Sequence, residues 1–226
     1  MKRKILFYVL LCITTVSFGQ IHEAGIILGG SNYIGDIGSE NYIKPNKLAF
    51  GGIYKYNLNP RIALRGTFTY FNIGDSDKNS SNKIREERGY SFSNSIKEVA
   101  FGVEFNFFEF DMSSRYDDYS PYLVVALGVF NYKNVESQRA DGSFEYGSNT
   151  SITLPFGFGY KTRLYDKIAV NFELSARYTL VDDLDYNRED IADLNFGNPD
   201  TNDWYIFTGV SVVYTFGRPA CYSSRR

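Results

Sequence analysis

Apolar and polar residues alternate with a period of two through most of the chain. Over residues 168–181 the even positions Ile168, Val170, Phe172, Leu174, Ala176, Tyr178 and Leu180 are apolar. Between them, Ala169, Asn171, Glu173, Ser175, Arg177 and Thr179 are small or polar. Successive side chains of a strand point to opposite faces, so this segment has one greasy side and one wet side. The same alternation marks 97–107 (Val99, Phe101, Val103, Phe105, Phe107) and 152–164 (Ile152, Leu154, Phe156, Phe158, Tyr160, Leu164). It recurs in 62–70 (Ile62, Leu64, Phe68, Tyr70), around Phe50, Tyr54 and Tyr56, and in Trp204, Ile206, Val210, Val212, Tyr214 and Phe216. Two segments are weaker: 23–33 is rich in glycine, and 122–132 is apolar on both faces. Eight strands result.

The connections support a particular arrangement of those strands. Residues 57–61 and 165–167 form tight turns and 109–120 a moderate one, whereas 32–48, 72–94, 133–149 and 182–203 are long and polar. Long and short connections alternate strictly, as they do in barrels with extracellular loops and periplasmic turns. Aromatics at strand ends (Tyr70, Phe71, Phe107, Phe108, Tyr132, Tyr178, Trp204, Tyr205) are expected in interfacial girdles. The ending Tyr214-Thr215-Phe216 resembles the terminal signal recognised by outer-membrane insertion machinery. The expected fold is all-β: an eight-stranded antiparallel up-and-down transmembrane β-barrel over residues 20–216. The rival is a secreted lipocalin-like barrel, in which the apolar face would point inward.

Composition narrows the function. In 226 residues, Lys+Arg 24 stand against Asp+Glu 26, which leaves no basic stripe for a nucleic acid. One histidine and two cysteines are too few soft ligands for a zinc or iron–sulfur site, so no cofactor is expected. An aromatic share of 17% with a mean hydropathy of −0.28 suits strands that meet lipid on one side and water on the other. Lys2-Arg3-Lys4, the apolar run 5–16 and the small residues of Ser17-Phe18-Gly19 read as a cleaved signal peptide over residues 1–19. Cys12 falls inside that leader, so the mature chain keeps Cys221 alone and forms no internal disulfide. Residues 217–226 form a periplasmic tail, in which Cys221 is either an idle thiol or an intermolecular bridge.

With the apolar face outward, the lumen collects Lys55, Arg65, Lys161, Arg163 and Arg177 together with Glu98, Glu104 and Glu173. An eight-stranded barrel has room only for side chains, and unpaired charges there are costly, so a ladder of ion pairs plugging the bore is expected. An enzyme is not expected. Barrel hydrolases need a histidine at the loop side, and His22 lies near the mature N-terminus, at the opposite rim. Asp183-Leu184-Asp185-Tyr186-Asn187 imitates the opening of a calcium loop, but Arg188 and Leu194 stand where glycine and glutamate are required. The expectation there is an acidic, solvated loop. The mixed-charge stretch 78–88 reads likewise as a soluble loop, with contact to anionic lipopolysaccharide as its other use.

Several stretches resemble one family. They are 28–37 (LGGSNYIGDI), 88–92 (RGYSF), 104–108 (EFNFF), Arg177-Tyr178-Thr179 with Asp182-Asp183-Leu184-Asp185, and 202–209 (NDWYIFTG). Together with Gly217, Pro219 and Cys221 in the tail, they are similar to the PorG family, small outer-membrane barrels of the Bacteroidota type IX secretion system, often linked with gliding motility. The resemblance covers the mature chain. It implies a non-catalytic subunit that ties a periplasmic ring of PorK and PorN to the outer membrane, with Gly217, Pro219 and Cys221 as partner-contact candidates. The family often carries a second tail cysteine where this chain has Ser223, so the resemblance implies no disulfide inside the tail here. The other class of function is a stand-alone barrel acting as adhesin, envelope stabiliser or narrow porin. Either way the expected surroundings are outer-membrane lipid, with neither nucleic acid nor a small-molecule substrate.

Overall fold

The computed structural model describes residues 21–112, 119–188, 190–197 and 201–217. The leader 1–19 and the tail residues Pro219 and Cys221 lie outside the described residues. Eight strands pair in chain order: β1 Ile21–Ile34, β2 Lys47–Asn59, β3 Ile62–Ile73, β4 Asn94–Asn106, β5 Tyr119–Gln138, β6 Phe144–Tyr165, β7 Ile168–Thr179 and β8 Trp204–Phe216. Every pair is antiparallel, and β1 closes on β8 from Ile34↔Trp204 down to His22↔Phe216. The sheet is a closed barrel with no free edge around its wall.

The pleat sorts the side chains as the alternation requires. On β4, Val99, Phe101, Val103 and Phe105 point outward, and Phe101 is 70% exposed. Between them, Glu98 and Glu104 are buried in the bore. Leu123, Val125, Leu127 and Val129 of β5, and Leu154, Phe156 and Phe158 of β6, continue the apolar band around the wall. A continuous apolar exterior of this kind is at home in hydrocarbon and not in water. With the charges inside and the greasy face outside, the lipocalin arrangement is excluded.

The strand termed apolar on both faces and the glycine-rich strand are explained by the same packing. The inward residues of β5 include Tyr122, Val124, Phe130 and Tyr132, all buried, so the bore holds aromatic bulk as well as charge. Glycines on facing strands make room for that bulk. A Cβ at Gly159 would sit 2.3 Å from the Tyr122 ring, and one at Gly29 of β1 would sit 2.7 Å from the Phe207 ring of β8.

Three expectations need correction. The segment 133–149 is not a long loop: β5 and β6 run on beyond the wall as a paired ribbon with a bulge at Val135/Ser137, and only 139–143 connect them. Above the membrane both faces of a ribbon meet water, so strand pairing continues while the alternation that reveals it fades. Phe71, Tyr132 and Tyr205 are not girdle residues, since all three are buried inside the barrel. Tyr178 and Trp204 do meet on the outer face, with ring centroids 4.8 Å apart, and Phe108 and Tyr119 pair near the short-turn end at 6.2 Å. Finally, 72–94 contains a 3₁₀ turn at Asp77–Asn79 and the helix α1, Lys83–Arg88. Asn82 caps that helix by accepting from the amide of Ile84, and Gly89 ends it in the left-handed conformation at φ 72°.

Candidate functional site: a filled bore under a braced cap

Four buried cations (Lys55, Arg65, Lys161, Arg177) share the bore with four buried carboxylates (Glu23, Glu98, Glu104, Glu173). The contacts form a knot rather than the ladder expected from the sequence. Glu104 is its centre: Lys161 Nζ donates to Oε1 at 2.6 Å, Lys55 Nζ lies 2.7 Å from Oε2, and Arg65 approaches at 3.6 Å. Arg65 turns its main contact to Glu173 at 2.5 Å, and the Tyr122 hydroxyl donates to the same carboxylate at 3.1 Å. Nearer the long-loop end, the Tyr205 hydroxyl donates to Glu98 at 2.6 Å, while Arg177 lies 3.6 Å from Glu98 and above the rings of Phe71 and Phe207. Arg163, placed with this group from the sequence, is half-buried at the short-turn rim, two residues past Lys161. Sequence reasoning missed Glu23, which accepts from the Asn57 side chain at 2.7 Å, and the tyrosines that complete the knot. Their signal was present, since Tyr122 and Tyr205 occupy inward positions of their strands.

Below the knot, Phe110 of the β4–β5 turn is buried with its ring 4.6 Å from Lys161 Nζ, and the Phe110 amide donates to the Pro60 carbonyl at 3.0 Å. Above it, Phe71, Phe130, Tyr132 and Tyr205 fill the bore, and Leu184 from the β7–β8 loop is fully buried over them. Among the described residues, buried side chains follow one another through the bore from Phe110 to Leu184. His22 is remote from all of this. It lies on the outer face with Nδ1 2.7 Å from the Tyr54 hydroxyl and its ring near Tyr56 and Phe216.

The loops at the long-loop end brace one another. Arg88 is the main tie: it donates to the Asp77 carboxylate at 2.8 Å, to the Asp36 carbonyl at 2.7 Å and to the Phe196 carbonyl at 3.4 Å, joining three loops. Burial opposes the charge on Asp77, but Arg88 and the amides of Gly38 and Tyr90 outweigh it and hold the carboxyl below its usual range. The stretch 78–88 is therefore built into the cap rather than left as a free loop.

The acidic motif is not solvated either. Asp185 and Asn187 are buried, Tyr132 donates to Asp183 at 2.5 Å, and Asn187 donates to Asp182 at 3.1 Å. Among the described residues no three acids, histidines or cysteines are grouped to hold a metal ion. Instead Asp203 accepts from the Tyr33 hydroxyl and from the Leu184 amide, next to Asp185. Burial, reinforced by the neighbouring carboxylates of Asp36 and Asp182, pushes Asp185 up to about 7, and burial with repulsion from Asp185 raises Asp203 strongly. These groups bind protons in the folded cap that they release when it opens. The stabilisation from Asp185 is full below the ordinary carboxylate range near 4 and is lost as pH rises through about 7, and the raised Asp203 acts in the same direction. Protease nicking within 180–203 is accordingly expected to be slower at pH 5 than at pH 8. Equal rates, after correction for the protease's own pH profile, would remove the acid pair as a brace.

A closed eight-stranded sheet with a lipid-facing exterior, a filled polar bore and long loops at one end defines an outer-membrane β-barrel. The chain belongs to the family described as Domain of unknown function (DUF6089), which matches residues 2–225. Solved structures similar to it include Ail, the attachment invasion locus protein of Yersinia pestis, in complex with the heparin analogue sucrose octasulfate. That match has 14% identity and a TM-score of 0.48, covering 88% of this chain and 100% of that one. The N-terminal β-barrel domain of Pseudomonas aeruginosa OprF matches at 12% identity and a TM-score of 0.46, covering 88% of this chain and 98% of its own. Neisserial surface protein A matches at 13% identity with the same TM-score of 0.46, also covering 88% of this chain and 98% of its own. No curated protein matches the chain.

Proposed function

We propose that this protein is a non-catalytic membrane anchor for a larger assembly, and that the assembly is the type IX secretion system. The observation that carries the first half is the filled bore. A barrel whose interior is packed with the Glu104 knot and capped by Leu184 has no space for cargo, so its work is done by its surfaces. The second half rests on the PorG-like stretches of the sequence, which imply a periplasmic PorK/PorN ring as the partner. In this reading the short turns, together with Gly217, Pro219 and Cys221 of the tail, face the periplasm, and the long loops face outward. Catalysis is not part of it.

A tagged barrel extracted from native membranes in mild detergent is expected to bring down a periplasmic ring lipoprotein, and truncation after Phe216 is expected to weaken the capture. Recovery of the barrel alone would overturn the anchor reading. The β5–β6 ribbon, which stands clear of the wall, favours a second reading, a stand-alone adhesive barrel. That reading predicts capture of a surface ligand by the ribbon and no ring protein.

A further inference from the structure

On the outer face the apolar band stops abruptly where β4, β5 and β6 leave the membrane. Val99, Val129 and Ile152 form its last cross-strand row. The next outward residues are Lys97, Asn131 and Thr150 in one row, then Lys133 and Ser148 in the row beyond. Lys97 stands directly opposite Asn131, so Lys133 is its diagonal neighbour on the same face, within reach of a long side chain. Among the described residues neither ammonium has a carboxylate within ion-pair distance, in contrast to the paired Arg61, Arg88, Arg139 and Arg188 around the ends of the barrel.

A cavity of about 610 Å³ opens at this place, and Lys97, Lys133, Asn131, Tyr146 and Tyr186 are among the residues that line it. Tyr186 arrives from the β7–β8 loop. It adopts φ 71°, a conformation that bulky residues avoid, and its hydroxyl donates to the Ser93 carbonyl at 2.9 Å. Its ring meets Tyr146 edge-on, with centroids 5.3 Å apart. Tyr186 thus packs against buried Phe92 on one side, at 6.4 Å between ring centroids, and against Tyr146 of the ribbon on the other, where it borders the cavity.

Two unpaired ammonium groups set beside aromatic walls, at headgroup height, suit a phosphorylated sugar: the lysines meet the phosphate and the tyrosines take the flat face of the ring. We infer that this cavity binds the phosphosaccharide headgroup of an outer-leaflet glycolipid. The choice of leaflet rests on the orientation given under the proposed function, whereas the ring partner plays no part in the argument.

The test uses the mature protein in detergent micelles and monophosphorylated lipid A as the probe, with binding read by native mass spectrometry. Lys97→Gln with Lys133→Gln is expected to weaken binding at least tenfold. Tyr186→Gly, which keeps the positive φ and removes the wall, is expected to weaken it several-fold. Heat-modifiable gel mobility reports that each variant remains folded. Binding of dephosphorylated lipid A as tight as that of the phosphorylated form would overturn the inference, as would a double lysine variant within twofold of the parent. Equal affinity for phosphatidylglycerol would overturn the saccharide part, and equal affinity for soluble glucosamine 1-phosphate would overturn the lipid source. Because no ring protein is present, this result is independent of the pull-down.

Discussion

Glu104→Gln is expected to destabilise the barrel by about 3–5 kcal/mol, the usual cost of removing one partner from a buried ionic group. The substitution keeps the volume and removes the charge that Lys55, Lys161 and Arg65 share. All of these side chains are shielded from water, so the cations left behind must share the remaining carboxylates of Glu173 and Glu23 and the tyrosines. The loss should appear as a lower urea midpoint for unfolding from lipid vesicles, followed by heat-modifiable mobility. Adding Lys161→Met restores the balance of charge in the bore and should recover a substantial part of the loss. A Glu104→Gln midpoint equal to that of the parent would show that the knot contributes nothing to holding the fold.

The second large effect is on the opposite face. Phe101→Lys puts an ammonium between Val99 and Val103, in the middle of the apolar band, and should cost about 2–4 kcal/mol in a bilayer. The same residue introduced at Thr150, in the first polar row above the band, should cost about 0–1 kcal/mol. The contrast is the informative quantity. A water-soluble barrel would tolerate a lysine at either exposed site, so equal and small effects would contradict lipid exposure of this face.

The sequence displayed the wall of the barrel and concealed its lid. Strand β7 could be read residue by residue because one of its faces meets hydrocarbon and the other carries Glu173 and Arg177 into the bore, a contrast that survives in the letters. Most of the ionic group was legible for the same reason: Lys55, Glu104 and Lys161 are inward residues of well-patterned strands. The inward direction of Phe71, Tyr132 and Tyr205 is a weaker signal, since an aromatic near a strand end is equally suited to a headgroup girdle and to a packed interior. Only the parity of the strand separates the two. The cap was least legible of all. Arg88 reaches Asp77 from 11 residues away, but it meets Asp36 and Phe196 through contacts that no local pattern encodes. The burial of the acidic motif is not legible because Asp185 and Asp203, from one loop, close around Tyr33, which comes from the far end of the chain.

The span of the Glu104 contacts has a consequence for biogenesis. Lys55 lies 49 residues before Glu104, Lys161 lies 57 after it, and Arg65 meets Glu173 across 108 residues. A nascent barrel holding only its first four strands would carry the Glu104 carboxylate without Lys161, and Arg65 without Glu173. In such an intermediate Lys55 and Arg65 alone would face Glu104, so the charge group is completed only when β6 and β7 arrive.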